Sequence, residues 1–122
     1  LHLIMSTLVQ YIVIRRDLIS MLNWPLGAVV AQGCHAATAA MHTFRDRTET
    51  VTYLEQLDRM HKVILGISDE IELKSLASKL SSAQVEHFMW IEQPENLATA
   101  LATRPYPKTE VQSFFKGLKL LS

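Results

Sequence analysis

Two stretches of this 122-residue chain carry polar side chains at spacings that could do chemistry. In "WPLGAVVAQGCHAATAAMHTF" (Trp24 to Phe44), Gln32, Cys34 and His35 stand among alanines and valines. Gln32 and His35 are three apart and share a helix face, and His42 continues that line. An amide and an imidazole so placed could line a cleft. A polar stripe meeting solvent or a backbone carbonyl explains the same spacing. Cys34 and His35 are adjacent, and neighbouring helical side chains point about 100° apart, so the two do not readily share a proton. Cys34 reads as a small buried hydrophobe.

The second stretch is "WIEQPENLATALATRPYPK" (Trp90 to Lys108), where Glu92, Gln93, Glu95, Asn96 and Thr99 follow an apolar run around a proline. Layered α/β proteins place ligands against polar groups at strand ends, although a solvated turn has the same composition. Arg104 and Lys108 flank "PYP" and could meet phosphate or be ordinary exposed charges. "NWPLG" also offers free helix N–H groups to an anion, as every helix start does.

Other chemistries are excluded by spacing. Gly27, Gly33, Gly66 and Gly117 form neither a dinucleotide fingerprint nor a phosphate loop. His2, His35, His42, His61 and His87 include no i, i+4 pair with a third ligand nearby, so no zinc site is expected. The single cysteine cannot form an internal disulfide and favours a reducing compartment, the cytoplasm by default. "LHLIM" lacks the basic flank, length and cleavage site of a signal peptide. Met5 and Ser6 read as a natural start, so residues 1–6 are expected to be a leader ahead of one domain over residues 7–122.

Basic and acidic residues both number 12, so overall charge points to neither nucleic acid nor membrane. Their distribution is uneven, with an acidic middle and more basic ends. If the termini meet, they form a mildly basic face. No apolar run approaches the roughly 18 residues of a membrane span, and no membrane partner is expected.

The elements that must position these residues follow from periodicity. "TLVQYIVIRRD" (Thr7 to Asp17) is too continuously apolar for a one-sided strand and reads as central. A helix is expected from Pro25 to about Phe44. A shorter one is expected over Val51, Leu54, Leu57 and Met60. "HKVILGIS" (His61 to Ser68) reads as a strand. "SDEIELKSLASKLSS" reads as a helix capped by Ser68 or Asp69, with Ile71, Leu73, Leu76 and Leu80 as its stripe. Val85 to Gln93 is a third strand, Asn96 to Arg104 is ambiguous, and Pro107 to Lys116 reads as helix before "LKLLS". Strands alternating with helices, with a composition 48% hydrophobic, define a compact single α/β domain with a mixed sheet. Trp24, Phe44 and the methionines would offer a homodimer surface if exposed.

"LVQYIVIRRDL", "GAVVAQGCHAA" and "HKVILGISDEIEL", in that order, resemble the type-2 peptidyl-tRNA hydrolase family. That family has a strand ending in Arg-x-Asp-Leu, a helix with Ala-Gln-x-x-His-Ala and a strand ending near Asp-Glu. "WIEQPENLATALATRPYPK" is closer still to its peptidyl-tRNA hydrolase domain-containing subfamily. The resemblance covers about Leu8 to Leu121. It implies a four-stranded mixed sheet between helices, and hydrolysis of the ester joining a peptide to the terminal ribose of tRNA, without metal or other cofactor.

By the same resemblance, Gln32 and His35 match the family's helix, Glu92 stands for an aspartate, and Asn96 and Thr99 stand for two threonines. The family's helix starts Gly-Lys-Gly-Lys, whereas Leu26 and Ala28 occupy both lysine positions here. Two readings stay open. In the first, Glu92 is general base or water positioner, Thr99 and Asn96 are donors, and His35 and Gln32 line the site, while Arg15, Arg16, Arg104 and Lys108 hold peptidyl-tRNA phosphate. In the second, a catalytically weakened or inactive family member binds RNA or a protein through the same cleft.

Overall fold

Apolar side chains on both faces of one strand require cover on both sides, and they receive it. A computed structural model describes residues 7–122. The leader expected over residues 1–6 lies outside them. In chain order the elements are β1 (Leu8–Arg15), α1 (Asp17–Ser20), α2 (Leu26–Thr43), α3 (Thr48–Glu55), β2 (Lys62–Ile67), α4 (Glu70–Ser82), β3 (His87–Glu92), β4 (Leu97–Thr103), β5 (Tyr106–Pro107), α5 (Lys108–Val111) and β6 (Lys119–Leu120). Short 3-10 turns at Leu57–Arg59 and Gln112–Phe115 follow α3 and α5.

The strand order is β3-β4-β1-β2-β6, with β5 beside the start of β1. β1 and β2 are parallel and the other pairings antiparallel, so the sheet is mixed. It has six strands where the family resemblance implied four. The two additions, β5 and β6, hold two residues each.

Alternation along β1 sorts the core. Val9, Tyr11 and Val13 pack with Leu73, Leu76 and Leu80 of α4. Ile12 and Ile14 pack with Val29, Ala36 and Ala40 of α2. The helices therefore cover opposite faces, and burying each large aliphatic side chain contributes on the order of 2 kcal/mol. α2 approaches closely because Gly33 has no side chain: a Cβ there would sit 2.8 Å from Ile14 Cδ1. β4, ambiguous by propensity, is a strand because its alanines fit between both layers.

Three expectations change. Ile71 is 77% exposed, because it lies about 200° around the helix from Leu73. The helix expected over Val51 to Met60 begins earlier and ends at Glu55. It buries Thr50 and Tyr53 and leaves Val51, Leu54, Leu57 and Met60 exposed, since a strict spacing of three drifts around a helix. The helix expected from Pro107 to Lys116 is only the short α5 and a 3-10 turn.

Candidate active site at the carboxyl end of the parallel strands

β1 and β2 both point their carboxyl ends at one edge of the sheet, where β3 ends and β4 begins. On that edge the β3–β4 ladder carries a bulge: Trp90 pairs with Ala100 and Ile91 with Ala98, so Thr99 is the extra residue. The bulge changes which face successive side chains meet. Ala98 packs in the α4-side core and Ala100 in the α2-side core, while Thr99 turns toward α2. There its Oγ1 donates to Gln32 Oε1 at 2.8 Å. Gln32 Nε2 donates to Ala28 O of its own helix at 3.1 Å. Both side chains are buried, so these bonds satisfy polar groups that water does not reach.

One turn along α2, His35 stacks on Trp90, ring centroids 4.6 Å apart. The Trp90 indole Nε1–H donates to Glu92 Oε1 at 2.9 Å. Among the described residues, Glu92 Oε2 has no hydrogen-bond partner. Glu92 is partly exposed, and His35 and Asn96 are exposed. Asn96 closes the β3–β4 turn with φ +58° and accepts from Gln93 Nε2 at 3.3 Å. A strip thus runs from the buried Thr99–Gln32 pair through His35 and Trp90 to an open carboxylate oxygen.

A second group of side chains holds the start of β4. The β1–β4 backbone ladder is registered as far as Ile14 opposite Ala100. Beyond it, Arg15 Nη1 donates to Ala98 O at 3.0 Å, and Ala98 N–H donates to Glu70 Oε2 at 3.0 Å. Arg15 is fixed in turn by two bonds to Asp17, at 2.9 and 2.8 Å. Those bonds push the guanidinium's pKa up against the opposing effect of burial. The amide bond from Ala98 pulls the Glu70 pKa down. Side chains here replace the missing strand partner and fix the residue before Thr99.

The nine expected site residues separate accordingly. Gln32, His35, Glu92 and Thr99 come together, with Asn96 at the adjoining turn. Thr99 is fully buried, and its Oγ1–H donates to Gln32 Oε1. Arg15 is buried and engaged. Arg104 lies at the other end of β4, bonded to Glu86 and Glu49, and Lys108 follows β5 at that same far end. Arg16 stays near the carboxyl edge, laid across Gly66. Leu26 is 68% exposed at the first position of α2, so no cation stands there. Cys34, expected inside, is exposed beside an apolar groove shared with Met41 and Ile64, because the buried stripe of α2 runs through Gln32, Gly33, Ala36 and Ala37. Trp90 and Glu70 were not read as site residues. A tryptophan two positions before Glu92 was the available signal, since a half-buried indole N–H requires an acceptor.

The family model for peptidyl-tRNA hydrolase PTH2 matches residues 8–121. The chain is 54% identical over 116 residues to the human protein named "Putative peptidyl-tRNA hydrolase PTRHD1", covering 94% of this chain and 83% of that one. Against the Mus musculus protein of the same name the identity is 53%, covering 93% and 81%. It is also 30% identical to "Probable peptidyl-tRNA hydrolase 2" of Dictyostelium discoideum, covering 91% of this chain and 53% of that one. The chain belongs to the PTH2 family of peptidyl-tRNA hydrolases.

Proposed function

We propose that this chain hydrolyses the ester between a peptide and the terminal ribose of tRNA, in the cytoplasm, by a positioned-water mechanism. The observation that carries this reading is the Glu92 carboxylate, held by Trp90 through Oε1 and open at Oε2, with His35 stacked on Trp90. Glu92 takes a proton from a water molecule as the water oxygen bonds to the ester carbonyl carbon, and returns that proton to the ribose oxygen as the bond between carbonyl carbon and ribose oxygen breaks. Asn96 accepts from Gln93 through Oδ1, which leaves its Nδ2 to donate to the developing oxyanion. His35 walls the cleft and braces Trp90. Gln32 and Thr99 act from beneath as positioning residues.

The test is hydrolysis of peptidyl-tRNA by the purified chain. Glu92→Gln is expected to lower kcat by about 10²-fold or more with little change in KM, in the range for a lost general base. Thr99→Ala is expected to lower kcat by about tenfold, with Thr99→Ser restoring it, since geometry rather than a direct contact is lost. Full activity in both Glu92→Gln and Thr99→Ala would overturn the assignment.

One observation favours the second reading. Leu26 and Ala28 stand where the family resemblance places lysines, and neither can hold phosphate or an oxyanion. Tight tRNA binding without turnover would identify a non-catalytic RNA-binding module, and turnover would exclude it.

A further inference from the structure

Eight of the twelve cations form two contrasting groups. Arg15, Arg47, Lys74 and Arg104 are in ion pairs. Four others, Arg16, Lys79, Lys116 and Lys119, line one cleft of about 440 Å³ and form no ion pair among the described residues. Glu72 is the only carboxylate on its wall. A chain with no net charge has thus gathered a third of its cations in one concavity, facing a single acid.

The fold builds this concentration from distant segments. Arg16 follows β1 and lies so close to Gly66 that a Cβ there would be 2.5 Å from its Nε. β6 pairs antiparallel with β2 and sets Lys119 opposite Gly66. Gly117, at φ +92°, makes the turn between Lys116 and Lys119, a conformation that other residues rarely adopt. Lys79 comes from α4. The α4 amino terminus is already capped by Asp69, so the attraction for an anion comes from side chains.

We propose that this cleft is a phosphate site that holds the tRNA backbone while the ester lies at Glu92. The proposal rests on the hydrolase reading above. It moves phosphate recognition away from Arg15 and Arg104, whose guanidinium groups are committed to carboxylates, and away from Lys108 at the far end of the sheet. Arg16 belongs to both descriptions, since it follows directly on Arg15, which clamps Ala98 beside Thr99. Like-charged side chains left unpaired across a cleft repel one another. A polyanion relieves that repulsion and releases its own counterions.

The experiment measures binding of deacylated tRNA at rising salt, and hydrolysis of peptidyl-tRNA beside a peptidyl-adenosine ester that has no phosphate. Two double variants, Arg16→Gln with Lys119→Gln and Lys79→Gln with Lys116→Gln, are compared with Arg45→Gln plus Arg59→Gln at exposed positions elsewhere. Each cleft pair is expected to weaken tRNA binding about tenfold at low salt and to reduce the slope of log K against log salt by about 1 to 2, and the Lys79 and Lys116 pair is expected to leave turnover of the adenosine ester unchanged. The control pair is expected to bind as wild type does. The Lys79 and Lys116 pair is exposed, so its result stands even if Arg16→Gln perturbs packing. Wild-type affinity and slope in both cleft variants would overturn the proposal while wild-type turnover left the hydrolase reading intact. Loss of tRNA binding in the cleft variants of a wild-type protein without turnover would support the cleft and overturn that reading. Competition by inorganic phosphate with no effect of the variants on tRNA would assign the cleft to a small anion and overturn the proposal.

Discussion

The two ends of the sheet treat charge in opposite ways. At the amino end of β1, Glu86 receives Arg47 through bonds of 2.8 and 2.6 Å and Arg104 at 2.9 Å, and Arg104 also reaches Glu49 at 2.7 Å. Arg104 lies over the Tyr106 ring as well, 3.7 Å from its centroid. Arg47, Glu86, Arg104 and Glu49 are thus all partnered, and the Arg47 and Arg104 guanidinium groups pull the Glu86 carboxyl down to about 2. At the carboxyl end, Glu92 keeps an open oxygen and the cations around Arg16 are unpaired. The first end is saturated and serves stability; the second keeps its electrostatic interactions available to something outside the fold.

Breaking the saturated end is expected to have the largest effect. Arg104→Ala leaves Glu86 and Glu49 facing each other without their shared cation and removes the stack on Tyr106. It should cost about 3 kcal/mol in denaturant unfolding while kcat per folded molecule is unchanged. A matching fall in kcat would erase the contrast between the two ends.

Next is Gln32→Leu, which leaves the Thr99 hydroxyl buried without its acceptor. We expect hydrolysis to fall by about tenfold or more and the melting temperature by several degrees, as one unsatisfied buried hydroxyl implies. Unaltered hydrolysis would show that the strip beneath Glu92 positions nothing.

The saturated end also predicts an acid response. The Glu86 folded-state pKa lies below its ordinary value of 4.5, so its contribution is present above about pH 4.5 and is lost as pH falls toward 2. Allowing for solvent at the partly exposed Arg47, that contribution is about 1–2 kcal/mol. Stability measured from pH 5 to pH 2 should therefore fall less steeply in Glu86→Gln than in the unaltered chain. Equal slopes would mean that the network does not govern the acid limb.

The smallest effect is expected from Trp90→Phe. It keeps the stack on His35 but removes the N–H that holds Glu92. A loss of about threefold to tenfold in kcat with KM unchanged follows from one hydrogen bond to a charged group. A rise in KM alone would place Trp90 in substrate contact instead.

Most of the fold was legible because its main elements obey simple periods. β1 is apolar throughout, and α4 repeats Leu73, Leu76 and Leu80 at helical spacing. Where the pattern was looser the reading failed: the spacing of three from Val51 to Met60 described an exposed face, and Ile71 looked like part of a stripe it does not join. The candidate site was legible by residue type, local spacing and family resemblance, but not by its contacts. Gln32 and His35 announced a shared face, and Glu92 and Asn96 announced a polar strand end.

What the sequence by itself determined is the alternation of the main strands and helices from β1 to β3, the family, and the absence of lysines at the start of α2, because these depend on local pattern and residue identity. Tertiary structure alone decided how charge is divided between the ends. Arg15 and Arg16 are neighbours of the same type, yet one is bound by Asp17 and Ala98 while the other lies across Gly66 toward Lys119. Thr99 meets Gln32, 67 residues away, only because a bulge admits one extra residue opposite Trp90. Whether a charge is paired or left open depends on which distant segments the sheet brings beside it, and local spacing carries no record of that.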